Sequence, residues 1–379
     1  MNTPKKKRKK IPPEVMLKLW VVSGGRCEFP GCNEQVWRDG LTLKEDNFAH
    51  MAHLVAASPD GPRGDKILSP ELEQEFSNLI LVCLTHSKLV DGRNKSEFTI
   101  DDLRSYKEKH EERIRVQTSV SPDMGTTVVR FLAKIADRPT VISLSQAYHA
   151  IRPRFPESEK GIFLDFTIKP GHGTQTYWKE FQKDILAQVQ SALLSGNARE
   201  KFEHLSVFAL APIPLLMCFG RTLGNIIPMD VYQKHRDTDS WEWKKEPKKD
   251  DFQYSVKHKK KRGGKKGKIA LILSLSGKVQ ESEILSVFPD TADIYEISVP
   301  TSNTGFLPFK SRLEKFKPVY RSLLTEIRKK HGENSEIRIF PAIPAPIAVL
   351  CGSELLPKSD PKILIYDNRS GFSPTLRIN

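Results

Sequence analysis

The chain has 379 residues, of which 38% are apolar and 28% are charged, a composition that excludes wholesale disorder and allows two or three domains. Lys and Arg outnumber Asp and Glu by 60 to 46, and the net charge of +14 favours a polyanionic partner, nucleic acid before an acidic membrane surface. Five cysteines are too few for a disulfide framework and predict a reducing, cytoplasmic location. We expect no membrane partner, because the apolar runs are short and the basic start leads into no apolar signal segment.

The first 117 residues predict a basic arm and a compact module. In the arm, residues 1–11, the six consecutive cations at 5–10 are compatible with a nuclear localisation run, an arm along DNA phosphates or a solvated tail. Residues 12–117 predict a helix over 14–22 that ends at a Ser-Gly-Gly turn, then a short strand, a strand–loop–helix segment and a charged helix over 100–116.

The remaining residues predict a linker and an α/β region. Residues 119–127 are rich in Ser, Pro, Gly and Thr, so we assign 118–155 to a linker with a helix over 128–135. From 156 to 379 strands and helices alternate, which predicts a parallel-rich sheet. The predicted strands are 161–168, 205–211, 229–232, 269–275, 294–299, 337–340 and 363–366, and the predicted helices are 178–194, 213–223 and 310–330.

This region contains a repeat. The segments 208–220 (FALAPIPLLMCFG) and 340–352 (FPAIPAPIAVLCG) align so that Pro212 falls on Pro344 and Gly220 on Gly352. Each copy reads as a strand, a Pro-x-Pro turn, an apolar helix and a glycine. This predicts two related α/β units around a pseudo-two-fold axis, with a chance likeness of two strand–helix joints as the alternative. Between the copies, residues 257–268 (KHKKKRGGKKGK) predict a flexible surface loop, whose binding of nucleic acid or nucleotide is left open.

Four side chains with metal-binding chemistry form two close pairs, Cys27 with Cys32 and Cys83 with His86. The Pro-Gly turn inside the first pair lets both sulfurs face one ion, and two such pairs are typical of a tetrahedral structural zinc (Zn2+) site. A site of this kind supplies much of the folding energy of a small module. Buried free cysteines are the alternative.

Residues 20–112 resemble the HNH endonuclease family. The resemblance is carried by the cysteine pair, a strand ending in histidine (FAHMAH, 48–53), a glycine-containing loop, and Asn-Leu-x-x-x-Cys (78–83) leading into a helix. It implies an α+β, ββα-metal nuclease module in which His53 is the general base on water and Asn78 orients His53 through its amide. It also implies one catalytic Mg2+ or Mn2+ ion, with Arg63 or the basic arm gripping DNA phosphates. A satisfied core histidine is the alternative for His53, and His50 should point to the opposite strand face.

Two positions depart from the HNH pattern. Ala52 stands before the base, where a polar residue is usual, and Ser87 stands where the family has its final His or Asn. A serine hydroxyl is a poor ligand for a hard divalent cation. Ser87 therefore implies weak cleavage, substitution by another residue, or an engineered inactivating change from histidine. We favour the last, because residues 78–91 otherwise keep the pattern.

The C-terminal region, roughly 156–379, resembles the SAVED domain, a fusion of two CARF-like Rossmann-type α/β units. The repeat, its Ala-Pro-x-Pro turn and the pair Trp241 and Trp243 carry the resemblance. An HNH module joined to SAVED resembles the nuclease effectors of bacterial CBASS anti-phage systems. This implies that a cyclic dinucleotide or trinucleotide assembles the chain into a homo-oligomer, a dimer or higher, that degrades double-stranded DNA in abortive infection.

Nucleotides in open α/β sheets bind beyond the carboxyl ends of strands, which selects candidate ligand-binding residues. Hydroxyl, amide and backbone N–H groups would hold phosphate, an indole would stack on a base, and a lysine at a helix start would add charge. The candidates are Pro212, Trp241, Trp243, Thr301, Ser302, Asn303 and Lys310. Ordinary turn chemistry and core tryptophans are the alternatives.

Three functions remain open on the sequence. The first is a ligand-gated DNA endonuclease. The second is a restriction-type HNH nuclease whose C-terminal domain docks substrate DNA. The third, which Ser87 favours, is a non-catalytic or inactivated zinc-containing protein that binds a nucleotide.

Overall fold

The computed structural model describes residues 9–92, 97–135, 141–167, 174–196, 201–265 and 267–378. The chain divides into two compact units, the first ending at Ser121 and the second beginning at Pro122. Most of the predicted basic arm, residues 1–8, lies outside the described residues. In the described part of the chain, no helix is long and apolar enough to cross a membrane.

The first unit is built around a β-hairpin followed by a helix. Its elements are α1 (Pro13–Val22), β1 (Ala49–His53), α2 (Leu68–Leu72), a 3-10 turn (Phe76–Asn78), β2 (Leu79–Cys83), α3 (Leu84–Asp91) and α4 (Ile100–Thr118). β1 and β2 pair antiparallel, and α3 follows β2 directly and packs against β1. A capping box starts α4, because the Thr99 hydroxyl accepts from the Asp102 N–H while the Asp102 carboxylate accepts from the Thr99 N–H.

The second unit opens with a parallel sheet. Its elements are β3 (Gly125–Ala133), α5 (Leu144–Ala150), β4 (Phe155–Pro156), β5 (Ile162–Phe166), α6 (Gln175–Val189), a π-helical turn (Gln190–Leu194), β6 (Leu205–Leu210), α7 (Ile213–Leu223) and β7 (Met229–Tyr232). The strand order is β5-β3-β6-β7, and β4 pairs with the start of β3. All of these pairs are parallel.

A six-stranded sheet follows. Its elements are β8 (Ser255–Lys260), β9 (Lys268–Ser274), α8 (Glu281–Val287), β10 (Asp293–Ser298), α9 (Lys310–His331), β11 (Glu336–Ala342), α10 (Ala345–Ser353), β12 (Lys362–Asn368) and β13 (Phe372–Ile378). The order is β13-β12-β11-β9-β10-β8. The four inner strands are parallel, and both edge strands, β8 and β13, are antiparallel to their neighbours.

The two sheets are copies of one topology. The order β5-β3-β6-β7 and the order β10-β9-β11-β12 both place the first strand between the second and the third, with the fourth outside. The repeated segments occupy equivalent places, β6-α7 in one copy and β11-α10 in the other. This arrangement agrees with the predicted pair of related Rossmann-type α/β units.

The two repeated helices meet at their glycines. A Cβ added to Gly220 would lie 2.0 Å from the Val349 carbonyl oxygen, and one added to Gly352 would lie 2.0 Å from the Met217 carbonyl oxygen. The sequence repeat equates Gly220 with Gly352 and Met217 with Val349, so the two contacts exchange under a two-fold rotation. The pseudo-two-fold axis therefore passes between α7 and α10.

One main core joins the halves of the second unit. It contains buried side chains of α6, α7, α9 and α10 together with one face of each sheet. Side chains along β9 alternate between the two faces of the sheet. Ile269 and Leu271 face the main core. Ala270 and Ile272 lie on the other face and pack with Ile284 of α8. Both faces of each sheet are thereby covered, as parallel sheets require.

Several predicted elements are wrong. The predicted linker over 118–155 contains β3, the strand that β5 and β6 flank, and the predicted helix over 128–135 is part of that strand. A run of apolar residues buried on both faces lacks the period-two signal that separates a strand from a helix. The predicted flexible loop over 257–268 holds most of β8, and α8 and β13 were not predicted.

Candidate functional site

The side chains of Cys27, Cys32, Cys83 and His86 converge in the first unit, and their ligand atoms all lie within 4.8 Å of one another. Cys83 ends β2 and His86 lies in the first turn of α3, so the strand–helix junction forms the second pair. The His86 Nδ1 atom lies 3.2 Å from the Cys83 sulfur and 3.6 Å from the Cys27 sulfur. The ring of Phe29 stacks on His86 with centroids 4.1 Å apart and fixes its orientation.

These four residues fit a structural zinc ion. With Zn–S bonds of about 2.3 Å and Zn–N bonds of about 2.0 Å, sulfur and nitrogen ligands of a tetrahedral site are roughly 3.6 Å apart, close to both distances above. Burial raises the pKa of the Cys27 and Cys83 thiols, so a cation is needed to stabilise their thiolates. Among the described residues, this is the one group of three or more His, Cys, Asp or Glu side chains arranged for a metal.

His53 lies at the end of β1, where the predicted base should be, but its surface is only 6% exposed. Its Nε2 atom lies 2.9 Å from the Glu73 carbonyl oxygen. Because a carbonyl only accepts, Nε2 carries a proton and donates it to this bond. His50 is exposed on the same strand, as expected for the opposite face. The ring of His53 is therefore fixed in orientation, and its burial restricts access to it.

Asn78 holds the chain that follows His53. Its Oδ1 accepts from the Val55 N–H at 2.7 Å, and its Nδ2 donates to the carbonyls of Val55 at 2.8 Å and Leu72 at 3.1 Å. All of these bonds are to backbone groups, in place of the predicted amide bond to the imidazole. Within the described residues, Asn78 thus orients His53 only indirectly, by fixing the chain two residues further on.

Arg63 is held by contacts within the first unit, which weigh against the predicted contact with a DNA phosphate. Its guanidinium donates to the carbonyls of Leu54 at 2.9 Å, Val90 at 3.0 Å and His53 at 3.0 Å, and to the Asp91 carboxylate at 2.8 Å. Only 8% of the side chain is exposed. These bonds tie the end of β1 to the end of α3 and use four of the five N–H donors of the guanidinium.

Ser87 lies in α3 beside His86 and is partly exposed. A hard divalent ion prefers carboxylate and other strong oxygen ligands, and a neutral hydroxyl replaces them poorly. Apart from the cysteine–histidine group, no cluster of three or more His, Cys, Asp or Glu ligands occurs in the described ranges. The residues present therefore do not fit the predicted catalytic Mg2+ or Mn2+ ion, and we assign no chemical step to it.

In the second unit, the carboxyl ends of the strands form the candidate ligand site. In each sheet the chain leaves two neighbouring strands in opposite directions: β3 and β6 in the first sheet, β9 and β11 in the second. The crevice between two such strands is called a switch point, and ligands of open α/β sheets bind there. Pro212 follows β6 and Pro344 follows β11, one at each switch point. Ser276 follows β9, and its hydroxyl is buried without a hydrogen-bond partner among the described residues. The sequence analysis missed Ser276, although a small polar run after an apolar strand is a usable signal.

The predicted phosphate-binding run follows β10 at the same edge of the sheet. Ser302 donates to the Ser274 carbonyl at 2.8 Å. Asn303 donates to the Thr301 carbonyl at 3.0 Å and accepts from the Gly305 N–H at 2.9 Å. Ser302 and Asn303 therefore close their own turn, whereas Thr301 is exposed and remains the stronger ligand candidate.

The two tryptophans differ in exposure. Trp241 has no exposed surface and packs edge-on against Phe208, with centroids 5.2 Å apart, on the side of the sheet that α5 covers. Its burial contradicts the prediction that it stacks on a base. Trp243 is partly buried and packs at right angles to His235 at 5.8 Å, and its role stays a prediction.

Lys310 begins α9 as predicted, but its charge is paired. Its ammonium lies 2.7 Å from the Asp230 carboxylate, whose other oxygen is 3.7 Å from the His204 Nε2 atom. Burial, reinforced by the nearby Arg154 guanidinium, lowers the pKa of His204 to about 4, so its ring is neutral at pH 7. Lys310 thus neutralises Asp230, and its predicted contribution of positive charge to the ligand site stays a prediction.

Comparison with solved structures finds Cap4 SAVED/CARF-domain receptors. The Acinetobacter baumannii receptor with 2′3′3′-cAAA is 12% identical, with a TM-score of 0.44, and the match covers 82% of this chain and 61% of that chain. The same receptor with 3′3′3′-cAAA is 10% identical, with a TM-score of 0.45 and coverage of 84% and 68%. The Moraxella osloensis receptor is 10% identical, with a TM-score of 0.38 and coverage of 83% and 70%.

The chain therefore spans about three fifths of the first of these receptors. No curated protein sequence matches the chain. A family model does match: residues 185–378 fit the SMODS-associated and fused to various effectors sensor domain, SAVED. This range is just over half of the 379 residues and includes both copies of the repeat. The chain belongs to the SAVED family of sensor domains.

Proposed function

We propose that this chain is a cyclic-oligonucleotide-activated, metal-dependent endonuclease that cuts double-stranded DNA in bacterial anti-phage defence. The observation that carries the proposal is the SAVED match over residues 185–378, which supplies the sensor. The effector is the first unit, in which a hairpin and a helix meet at the cysteine–histidine group and His53 ends the first strand.

The proposed ligand site lies at the carboxyl edges of the two sheets of the second unit. Pro212 and Pro344 mark the two switch points. At the carboxyl edge of the second sheet, the exposed Thr301 and the buried, unpartnered hydroxyl of Ser276 would donate to phosphate oxygens. The Cap4 structures contain cyclic trinucleotides, which makes 2′3′3′-cAAA and 3′3′3′-cAAA the first probes. A ligand shifts an equilibrium only through different affinities for its two states, so we propose that it favours an active homo-oligomer.

In the proposed reaction, the imidazole of His53 takes a proton from the water that attacks phosphorus. The P–O bond to the leaving sugar oxygen breaks, and that oxygen takes up a proton from solvent. The Nε2–H of the ring donates to the Glu73 carbonyl, and Arg63 and Asn78 hold the backbone at His53 and in the residues that follow it. Positioning an imidazole through hydrogen bonds to its ring and backbone is typical of general-base catalysis.

A non-catalytic nucleotide-binding protein is the second candidate, and two observations favour it. Ser87 is a weak metal ligand, and the surface of His53 is only 6% exposed. In this case the second unit would bind the cyclic nucleotide and the first unit would serve only as a zinc-containing binding module. The restriction-type alternative differs from both candidates, because it requires cleavage without a cyclic nucleotide.

Substitution Ser87→His is expected to give ligand-dependent cleavage of plasmid DNA in Mg2+, because imidazole binds a divalent ion far better than a hydroxyl. A screen of cyclic dinucleotides and trinucleotides, followed on agarose gels, measures it. Adding His53→Ala to Ser87→His should lower the cleavage rate by about 10²- to 10⁴-fold through loss of the base.

The matched control for His53→Ala is His50→Ala, on the same strand but on the exposed face, which should leave the rate within a factor of a few. Full cleavage without any cyclic nucleotide would refute gating and support the restriction-type function. Tight binding of a cyclic nucleotide by Ser87→His, with no cleavage under any condition, would establish the non-catalytic function instead.

A further inference from the structure

The edge strand β8 and the turn after it carry a dense positive charge on the second unit. All six residues of β8 (SVKHKK) are exposed, and Lys261, Arg262 and Lys265 follow in the turn. Residues alternate across a strand, so Lys257 and Lys259 extend from one face and His258 and Lys260 from the other, each pair about 7 Å apart. We call residues 257–265 the lysine edge.

The lysine edge is held in one conformation. β8 pairs with β10 over six residues, from Ser255 opposite Ser298 to Lys260 opposite Asp293. Two hydrogen bonds join the turn to the loop that precedes β10. The Lys261 N–H donates to the Ala292 carbonyl at 2.8 Å, and the Lys265 N–H donates to the Asp290 carbonyl at 2.9 Å. Gly264 allows this approach, because an added Cβ would lie 2.3 Å from the Thr291 carbonyl oxygen. The cations are therefore preorganised.

Part of this charge is neutralised within the protein. Lys259 pairs with Glu281 at 2.7 Å and Lys265 with Asp290 at 2.8 Å. His258 stacks on Tyr295 and lies 2.8 Å from the Asp293 carboxylate, which Lys330 of α9 also approaches at 3.5 Å. In contrast, Lys257, Lys260 and Arg262 form no ion pair with any described residue. Three fixed cations thus remain available on one exposed edge.

We propose that the lysine edge binds the phosphate backbone of a polynucleotide without sequence specificity. Lysines on edge strands also prevent strand-to-strand aggregation. Here the cations continue into the turn after the strand, where that role does not apply. A row of cations on a fixed strand lowers the entropy lost on binding, and the outward N–H groups of an edge strand are further phosphate donors. The inference rests on the second unit alone and does not require the proposed nuclease activity.

The test is duplex binding by the full chain, measured by fluorescence anisotropy on a labelled 30-base-pair DNA without added divalent ions. The triple variant Lys257→Gln, Lys260→Gln, Arg262→Gln should weaken binding at least tenfold at about 0.1 M salt and lower the slope of log K against log salt by about 2 to 3. The charge-retaining variant Lys257→Arg, Lys260→Arg, Arg262→Lys should bind like the starting protein.

The matched control removes three exposed lysines elsewhere on the same unit, with Lys179→Gln, Lys183→Gln and Lys358→Gln. Equal weakening by this control would show that net charge alone acts, and would overturn the proposal. Unchanged DNA binding by the triple variant would also overturn the proposal. If that variant instead lost binding to phosphatidylserine vesicles, the partner of the lysine edge would be a membrane surface. Circular dichroism confirms that each variant is folded.

Discussion

Chelation of zinc is expected to unfold the first unit and leave the second folded. Among the described residues, the buried apolar cluster of the first unit contains twelve side chains, and two of them are the predicted ligands Cys27 and Cys83. Structural zinc contributes about 10–16 kcal/mol of apparent binding free energy, comparable with the whole stability of a domain of about 5–15 kcal/mol. Cys83→Ala should have the same effect, because it removes the ligand that joins β2 to α3.

Calorimetry and metal analysis check this expectation. The starting protein should contain one zinc per chain and show two thermal transitions, of which chelation or Cys83→Ala abolishes one. Cys218→Ala is the matched control, since Cys218 is buried in the core of the second unit and should leave the zinc content unchanged. Protein that is folded throughout yet contains no zinc would contradict both the metal site and the nuclease interpretation built on it.

Gly352→Ala is expected to destabilise the second unit by about 3 kcal/mol, through overpacking at the crossing of α7 and α10. The new Cβ would lie 2.0 Å from the Met217 carbonyl oxygen and 2.6 Å from the Arg221 nitrogen. Both atoms belong to the backbone of α7, so the contact is relieved only if the helices separate. Gly220→Ala should cost a similar amount, because its Cβ would meet the Val349 carbonyl oxygen at 2.0 Å.

The measurement is the midpoint of the thermal transition of the second unit, which should fall on the order of 6–12 °C for either variant. Gly277→Ala is the control in the same unit: its nearest neighbour would be the Ala342 Cβ at 4.0 Å, so we expect a change of less than about 0.5 kcal/mol. An unchanged midpoint for Gly352→Ala would show that the helices do not cross at their glycines, and that the repeat is not organised by a two-fold axis there.

Much of the fold was predictable because the signals were local. The helix over 213–223 was predicted with the bounds that the structure shows, since Pro-x-Pro starts it and a glycine follows its apolar run. The repeat predicted the duplicated topology. In contrast, β3 was assigned to a linker, because its neighbours β5 and β6 lie far along the chain and its own residues carry no strand periodicity.

The features of the candidate site also divide into those that the sequence predicted and those that depend on the tertiary structure. The sequence alone determined which four side chains form the cysteine–histidine group, because residue type and spacing carry that prediction, and it placed His53 at the end of a strand. Only the tertiary structure decided that Arg63 faces inward to four internal acceptors, that Trp241 packs in the core, and that Lys310 is paired with Asp230. Spacing along the chain reports which side chains are near one another locally, whereas burial and charge pairing depend on residues that folding brings from elsewhere. For the same reason the lysine-rich segment, which by composition should not fold alone, becomes an ordered strand once β10 supplies its hydrogen-bond partners.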